Sequence, residues 1–340
     1  MTEYVSYIVN TIKQGLSGDY KKDMEYLHEM SEKYKMDEDA SEILQEIAKM
    51  MFELLPDEEK ENLGNKLEEM ATKRQEQFDT VKRLVQANDF ENAEDLMKAI
   101  LESCEGMFEE DENTIFLSFN HVLEFYIYSY YFKPVKEVQA ADIRYNEYFR
   151  TYGVILAHLE RYEEAEKAQK EAIKWNPVDL DSILALAEVY KHQEKLEEYL
   201  KVTKQAYRFC CTRATMARYY RNLGFYYTEK YKPDIARALY VYSNIYFQTD
   251  NADSELKYLE EALQNKTPDY DVQTLQKILN ENEIQPGPDS DTIGIVYRVG
   301  QILMNEGNQK AAADCFSIVY DITQDEECEQ ILKKLGVFEA

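Results

Sequence analysis

Small residues return at one recurring place among large aromatic and aliphatic ones, and this constrains the chain more than any other feature. Gly153 to Ala187 is 34 residues, Ala187 to Gly224 is 37, and Gly224 to Gly300 is 76. The stretch Tyr220 to Ile245, YRNLGFYYTEKYKPDIARALYVYSNI, shows what surrounds each of them. Tyr220, Leu223, Gly224 and Tyr227 fall three or four apart and share one face of a first helix. Pro233 opens a second helix, where its fixed φ is tolerated and its missing N–H costs little. Ala236, Tyr240 and Ser243 share a face there. Gly224 and Ala236 let two helix backbones approach while the aromatics fill the space on either side. A chain that repeats this unit is built by stacking helix pairs.

The order aromatic, x2, Leu-Gly, x2, Tyr, then Ala, x3, aromatic resembles the tetratricopeptide repeat, whose signature W-x2-L-G-x2-Y…A-x3-F…P spans 34 residues. Tyr220 replaces the Trp and Tyr240 the Phe, and the terminal Pro is absent here. The resemblance is specific for four units within residues 146–210, 217–250 and 293–322. One carries Phe149, Gly153, Leu156, Ala165, Ala172 and Pro177; the next carries Ile183, Ala187, Tyr190, Tyr199 and Ala206. The last carries Val296, Gly300, Leu303, Gly307, Ala312 and Phe316. The resemblance implies an all-α, right-handed solenoid of about seven to eight antiparallel helix pairs. It further implies a non-enzymatic adaptor or scaffold that binds a protein or peptide in a concave groove.

Along the chain, residues 1–73 read as divergent N-terminal helical repeats or a cap, with helices at Glu3–Gln14, Tyr20–Tyr34 and Ser41–Leu54 and a further one opened by Pro56. Residues 74–322 form the array, interrupted by an irregular helix pair at 251–285, and residues 323–340 a C-terminal capping helix. Within the array, Asn113–Phe132 reads as one helix apolar on most of its circumference, which must be buried between neighbours or line a groove. Residues 133–142 carry little pattern.

Composition excludes several functions. The net charge of −27 is uneven: residues 1–112 carry 30 acids and 13 bases, 113–250 carry 18 and 19, and 251–340 carry 18 and 7. Acidic ends repel nucleic acid and anionic membranes, and no nucleic-acid or membrane partner is expected. No apolar stretch of transmembrane length and no basic-then-apolar leader is present, and five cysteines without a paired framework fit a reducing cytoplasm. The four histidines are scattered, and no metal-ligand spacing, P-loop, GxGxxG or nucleophile elbow occurs, so neither metal, cofactor nor catalysis is expected. Cys210 and Cys211 read as ordinary helix-end thiols.

The near-neutral centre holds 19 of the 28 tyrosines and one anomaly, RFCCTRATMARYYR at residues 208–221, with four arginines and no acid. These arginines either pair with acids on adjacent helices or line the groove. The resemblance places the second, fifth and ninth repeat positions on the concave surface. Counting Gly224 as the eighth puts Arg218, Arg221 and Phe225 there, with Asn222 alongside and Arg150 at the corresponding place in its own repeat. Planar guanidinium forks suit a carboxylate and an aromatic wall suits an apolar side chain, so an acidic or C-terminal peptide segment is the expected ligand. The chaperone-binding carboxylate clamp of the family is not matched, because Val154 and Ala185 stand where it uses asparagines. A second reading is a ligand-sensing regulator that binds a short signalling peptide and controls a partner protein.

Overall fold

The structure, a computed structural model, describes residues 2–108 and 110–337. These fall into two compact units, up to Arg83 and from Leu84 onward. The first unit holds α1 (Glu3–Gln14), α2 (Tyr20–Tyr34), α3 (Ala40–Leu54) and most of α4 (Asp57–Gln86). Its core is Val5, Ile8, Val9, Ile12, Leu27, Ile43, Ile47 and Met50, the residues that recur at helical spacing in the sequence. A buried carboxylate fixes the turn between α1 and α2: Asp23 accepts from the Ser17 backbone N–H (2.6 Å), the Ser17 hydroxyl (2.8 Å) and the Gly18 N–H (2.8 Å). Those hydrogen bonds, the Ser17 N–H first, hold the Asp23 carboxyl below the ordinary aspartate range. α4 is a single helix of 30 residues, and the boundary expected after residue 73 falls inside it.

In the second unit, four helix pairs follow one frame: α7 (Tyr145–His158) with α8 (Tyr162–Trp175), α9 (Leu180–His192) with α10 (Leu196–Ala206), α11 (Arg213–Glu229) with α12 (Pro233–Tyr246), and α15 (Ser290–Asn305) with α16 (Gln309–Thr323). The small residue of each first helix faces the residue sixteen positions on. A Cβ on Gly224 would lie 2.9 Å from Tyr240 Cε1, and one on Gly300 3.1 Å from Phe316 Cζ. A Cβ on Gly153 would lie 2.5 Å from Gln169 Nε2, an amide pinned in place by donating to the Arg150 carbonyl (3.0 Å). From Ala187 the same step lands on Thr203, fully buried and smaller than Gln, Tyr or Phe. Size is thus divided between the two positions: glycine opposite a large side chain, alanine opposite a compact one.

The frame also fixes the turn. Seven residues after each small residue the backbone is left-handed, at Glu160 (φ 60°), Glu194 (57°), Tyr231 (55°) and Gly307 (82°). In each turn an N–H three residues beyond the first helix reaches back five positions: Arg161 N–H to Leu156 O, Lys195 to Tyr190, Lys232 to Tyr227 and Asn308 to Leu303, all 2.9 Å. This is the hydrogen-bond closure of a Schellman motif, which normally selects glycine. Three of the four turns hold a non-glycine residue in that conformation, at a local backbone cost of roughly 1 kcal/mol each.

Three regions depart from the regular frame, and the first also differs from the sequence expectation. Residues 113–132 are not one helix: Thr114–Leu117 is strand β1, and the helix, α6, spans Val122–Phe132. β1 pairs in parallel with β2 (Glu137–Ala140), Thr114 opposite Glu137 and Leu117 opposite Ala140, in the segment that showed little pattern. The β-branched and aromatic run Thr-Ile-Phe-Leu prefers a strand. Asn120 sets the helix start, its N–H donating to Glu124 Oε2 (2.7 Å). The sheet is a two-stranded insertion in an otherwise all-α unit.

Second, α13 (Asp250–Leu263) and α14 (Val272–Glu281) form where an irregular pair was expected, and each packs on α12. Ala252 and Leu259 join Ala236 and Tyr240, while Leu275 and Leu279 join Tyr219, Tyr220 and Tyr242. Third, α6 is buried against the far end of the stack. Leu123, Ile127 and Tyr128 share a core with Val296, Val299, Leu303 and Phe316. Tyr131 donates to Asp289 (2.8 Å) and Tyr130 to Asp291 (3.0 Å). The final helix α17 (Glu326–Lys334) covers that core through Cys328 and Leu332; the last residues assigned to it in the sequence, from Phe338, lie outside the described residues.

Candidate functional site

Residues 218, 221, 222 and 225 are three or four apart, so α11 presents Arg218, Arg221, Asn222 and Phe225 on one face. All four line a cleft of about 420 Å³. The other walls come from four more helices: Glu188 and Lys191 on α9, Tyr199 on α10, Tyr240 on α12, and Asn251, Ser254 and Glu255 on α13. The aromatic part is rigid. Tyr199 and Phe225 meet edge to face at 5.3 Å, and the Lys191 ammonium sits 4.3 Å over the Phe225 ring. The Tyr199 hydroxyl donates to the Asn222 carbonyl (3.1 Å). Burial pushes the hydroxyls of Tyr199 and Tyr240 far above the ordinary tyrosine range, so both stay neutral donors.

The polar part is unsatisfied. Arg218 and Arg221 are half-buried side by side, and among the described residues neither forms an ion pair. Arg221 makes one long contact, to the Phe247 carbonyl at 3.5 Å. Burial, and then the Arg218 charge, lower the Arg221 pKa; no carboxylate acts against them. Asn222 is only 7% exposed, and its side-chain amide nitrogen is buried without a hydrogen-bond partner. Glu188 and Glu255 line the same cleft, each half-buried and without an ion pair among the described residues, and Glu255 helps to raise the Tyr240 hydroxyl pKa. The cleft thus brings two guanidiniums, an ammonium and an amide together with two carboxylates.

Arg150 is not brought to this cleft. Its Nη1 donates to both oxygens of Asp179 (3.1 and 2.9 Å) and lies 3.7 Å from Asp181. Asp179 is buried and also accepts from Asn146 (3.1 Å) and Ser182 (2.5 Å). The pair lines a separate cavity of about 510 Å³, walled by α6 and by α16. The other arginines of residues 208–221 disperse as well. Arg213 donates to the Ile245 and Tyr246 carbonyls (2.9 Å each), capping the end of α12. Arg208 stacks over the Tyr131 ring at 5.4 Å. The expected pairing with acids on adjacent helices is not seen for any of the four among the described residues: Arg208 and Arg213 meet a ring and backbone carbonyls, and Arg218 and Arg221 line the cleft.

Glu188, Lys191 and Glu255 were not singled out in the sequence, and Tyr199 and Tyr240 only as packing positions of the repeat. Glu188 follows Ala187 as Phe225 follows Gly224, so the repeat frame carried a signal for it. Glu255 had none, because residues 251–285 hold no repeat signature from which to count. Burial raises the Cys211 thiol to about 11 and Cys210 further, which leaves both as unreactive packing groups. Among the described residues no group of three His, Cys, Asp or Glu side chains is placed to hold a metal ion, and no helix is long and apolar enough to cross a membrane.

The stacked pairs, their shared turn and their small-against-large seam define a helix-pair repeat protein of the kind used for protein interaction. The tetratricopeptide repeat family model matches residues 151–179 and 236–267. The first match runs from mid-α7 through α8, and the second takes α12 with α13, so α12 serves as partner to the helices on both sides of it. Those two stretches are similar to tetratricopeptide repeats. No curated protein matches it. A tetratricopeptide repeat protein of Parabacteroides merdae, known from its crystal structure, is similar at 12% identity over 77% of this chain and 98% of that one, with a TM-score of 0.35.

Proposed function

We propose that this protein is a non-enzymatic adaptor that holds a carboxylate-bearing segment of a partner protein, an acidic side chain or a C-terminus, in the cleft between α9, α11 and α13. One observation carries the reading: two adjacent, half-buried guanidiniums without an ion pair among the described residues, beside a buried amide donor without an acceptor. Leaving such a donor unmatched costs roughly 1–3 kcal/mol, and a carboxylate entering the cleft relieves it while separating the two like charges. Phe225, Tyr199 and Tyr240 supply an apolar wall for the neighbouring side chain of the segment.

The test is fluorescence anisotropy with labelled peptides that differ only in an internal Glu against Gln, and in a free against an amidated C-terminus. The carboxylate-bearing members of each pair bind more tightly, and Arg218→Glu with Arg221→Glu removes the difference. Equal affinity within both pairs, or an unchanged difference in the double variant, overturns the assignment.

A further inference from the structure

A further cavity, of about 520 Å³, shares no lining residue with the cleft around Arg218 and Arg221. Its floor is apolar: Phe132 at the end of α6, Ile173 on α8, Pro177, and Ile183 on α9. Phe132 is 48% exposed, a large ring left to solvent. One edge is cationic. Lys201 and Lys204 stand on α10 and Arg208 just past its end, three and four residues apart and so on one face. Arg208 is fixed from two sides. Its guanidinium stacks over the Tyr131 ring at 5.4 Å, and its backbone carbonyl accepts from the Thr292 hydroxyl (2.5 Å). A guanidinium stacked on a ring still offers its in-plane N–H groups to a ligand.

No carboxylate lines this cavity, in a chain with 66 acids against 39 lysines and arginines. The cleft, by contrast, holds Glu188 and Glu255, and the 510 Å³ cavity holds Glu124 and Asp179. Acids on the surrounding elements are engaged elsewhere or lie outside the wall. Asp289 accepts from the Tyr131 hydroxyl and from two N–H groups at the start of α15; Glu171 pairs with Lys174 (3.2 Å) and Glu197 with Lys230 (2.6 Å). Glu198, a turn before Lys201, does not line the cavity. Among the described residues, Lys201, Lys204 and Arg208 form no ion pair.

We propose that this cavity is a second docking site, for a short acidic segment of a partner protein that carries one large apolar side chain. The apolar side chain fills the floor, and two carboxylates lie along the edge from Lys201 to Arg208. That edge runs roughly 10 Å, at about 1.5 Å per helical residue. Alternate residues of an extended segment stand about 7 Å apart on one side, so two acids in that spacing reach the cations together. Rings and cations also suit a nucleic-acid strand. A polyanion longer than the cavity, however, runs onto a protein of net charge −27, whereas screening beyond ~8–10 Å spares a short segment.

Fluorescence anisotropy on the full chain tests this with two labelled, amidated nonapeptides, whose cores are Phe-Ser-Glu-Ser-Glu and the reverse order. Each has a twin with Gln for Glu and a twin with Ser for Phe, and a nine-nucleotide single-stranded DNA is run beside them. The protein carries Arg218→Ala with Arg221→Ala, so that the cleft does not hold the probe. Lys201→Glu with Lys204→Glu, at two exposed side chains, is then added. At least one probe binds, and its affinity falls about tenfold or more in either twin and in the lysine variant. Three results overturn the site: no binding of either probe once the cleft arginines are gone, equal binding by the twins, or an unchanged affinity in the lysine variant. DNA that binds as tightly as the better peptide overturns the assignment to a protein segment.

Discussion

Arg150 and Arg221 hold corresponding places in their helix pairs, each three residues before the glycine of the seam, and they meet different fates. Arg150 finds Asp179, the buried residue that starts the next first helix, and is held by both its oxygens. Arg221 finds Arg218 on its own helix and, among the described residues, forms no ion pair with the next, although Glu255 of α13 lines the same cleft. The position six residues before the glycine differs too: in α7 it is Glu147, paired with Arg144 at 2.9 Å, and in α11 it is Arg218. Repeat position alone therefore does not make an arginine available to a ligand. The residue that opens the following helix decides it, and Thr249, the N-cap of α13, offers no charge where Asp179 does.

The largest expected effect breaks the Arg150 side of this contrast. Asp179→Leu strands the Arg150 guanidinium and the partners Asn146 and Ser182, and lowers the unfolding free energy by about 3–5 kcal/mol in urea denaturation. A loss below about 1 kcal/mol would return Arg150 to the ligand candidates. Next comes the platform under Arg221. Gly224→Leu drives α11 off the Tyr240 ring and costs roughly 1–3 kcal/mol, whereas Gly294→Ala, on a helix face with nothing nearby, stabilises by ~0.5–1 kcal/mol. Equal melting temperatures for the two variants would contradict the packing frame.

Smaller again is Tyr220→Phe. The Tyr220 hydroxyl donates to the Gln285 carbonyl (2.8 Å) and accepts from the Gly287 N–H (2.9 Å), so its loss costs about 1–2 kcal/mol and raises hydrogen exchange at residues 285–287. Arg218→Glu with Arg221→Glu sharpens the other side: stability changes by less than about 0.5 kcal/mol while the preference for carboxylate peptides disappears.

The smallest effect concerns a carboxylate that forms ion pairs. Burial pushes the Glu166 carboxyl up, but hydrogen bonds from Lys170 and Lys195 outweigh it and hold the pKa at about 2, below the ordinary 4.5. With its folded pKa depressed, Glu166 contributes its stability above about pH 4.5 and loses it as pH falls toward 2. Glu166→Gln flattens the melting temperature in that window; an unchanged acid profile would show that the lysines do not hold the carboxylate.

Much of the framework was legible because periodic burial leaves a periodic trace. Gly153, Gly224 and Gly300 marked the seams, and the bounds of α1 and α2 follow from Gly15, Asp19 and the apolar spacing. The run Thr114–Leu117 misled because three apolar residues next to an apolar helix do not declare their period. The contact of α6 with α15 was out of reach, since no local pattern encodes a partner some 160 residues away. In the site, the α11 face followed from counting residues along one helix. The carboxylates that shape it come from neighbouring helices, and Arg150 was misplaced because its partner Asp179 precedes a helix instead of lying on a counted face.

The hydroxyls of Tyr130 and Tyr131, bonded to Asp291 and Asp289, tie an early helix of the second unit to a late one. Open stacks lose their end repeats one at a time, because each leans only on the next. Here the loss of α15 to α17 would strip Leu123, Ile127 and Tyr128 of their cover, so the terminal repeats cannot melt without exposing the start of the unit. Trimming the chain before residue 290 should therefore give an insoluble product, and unfolding from Leu84 onward should proceed as one event without fraying from either end.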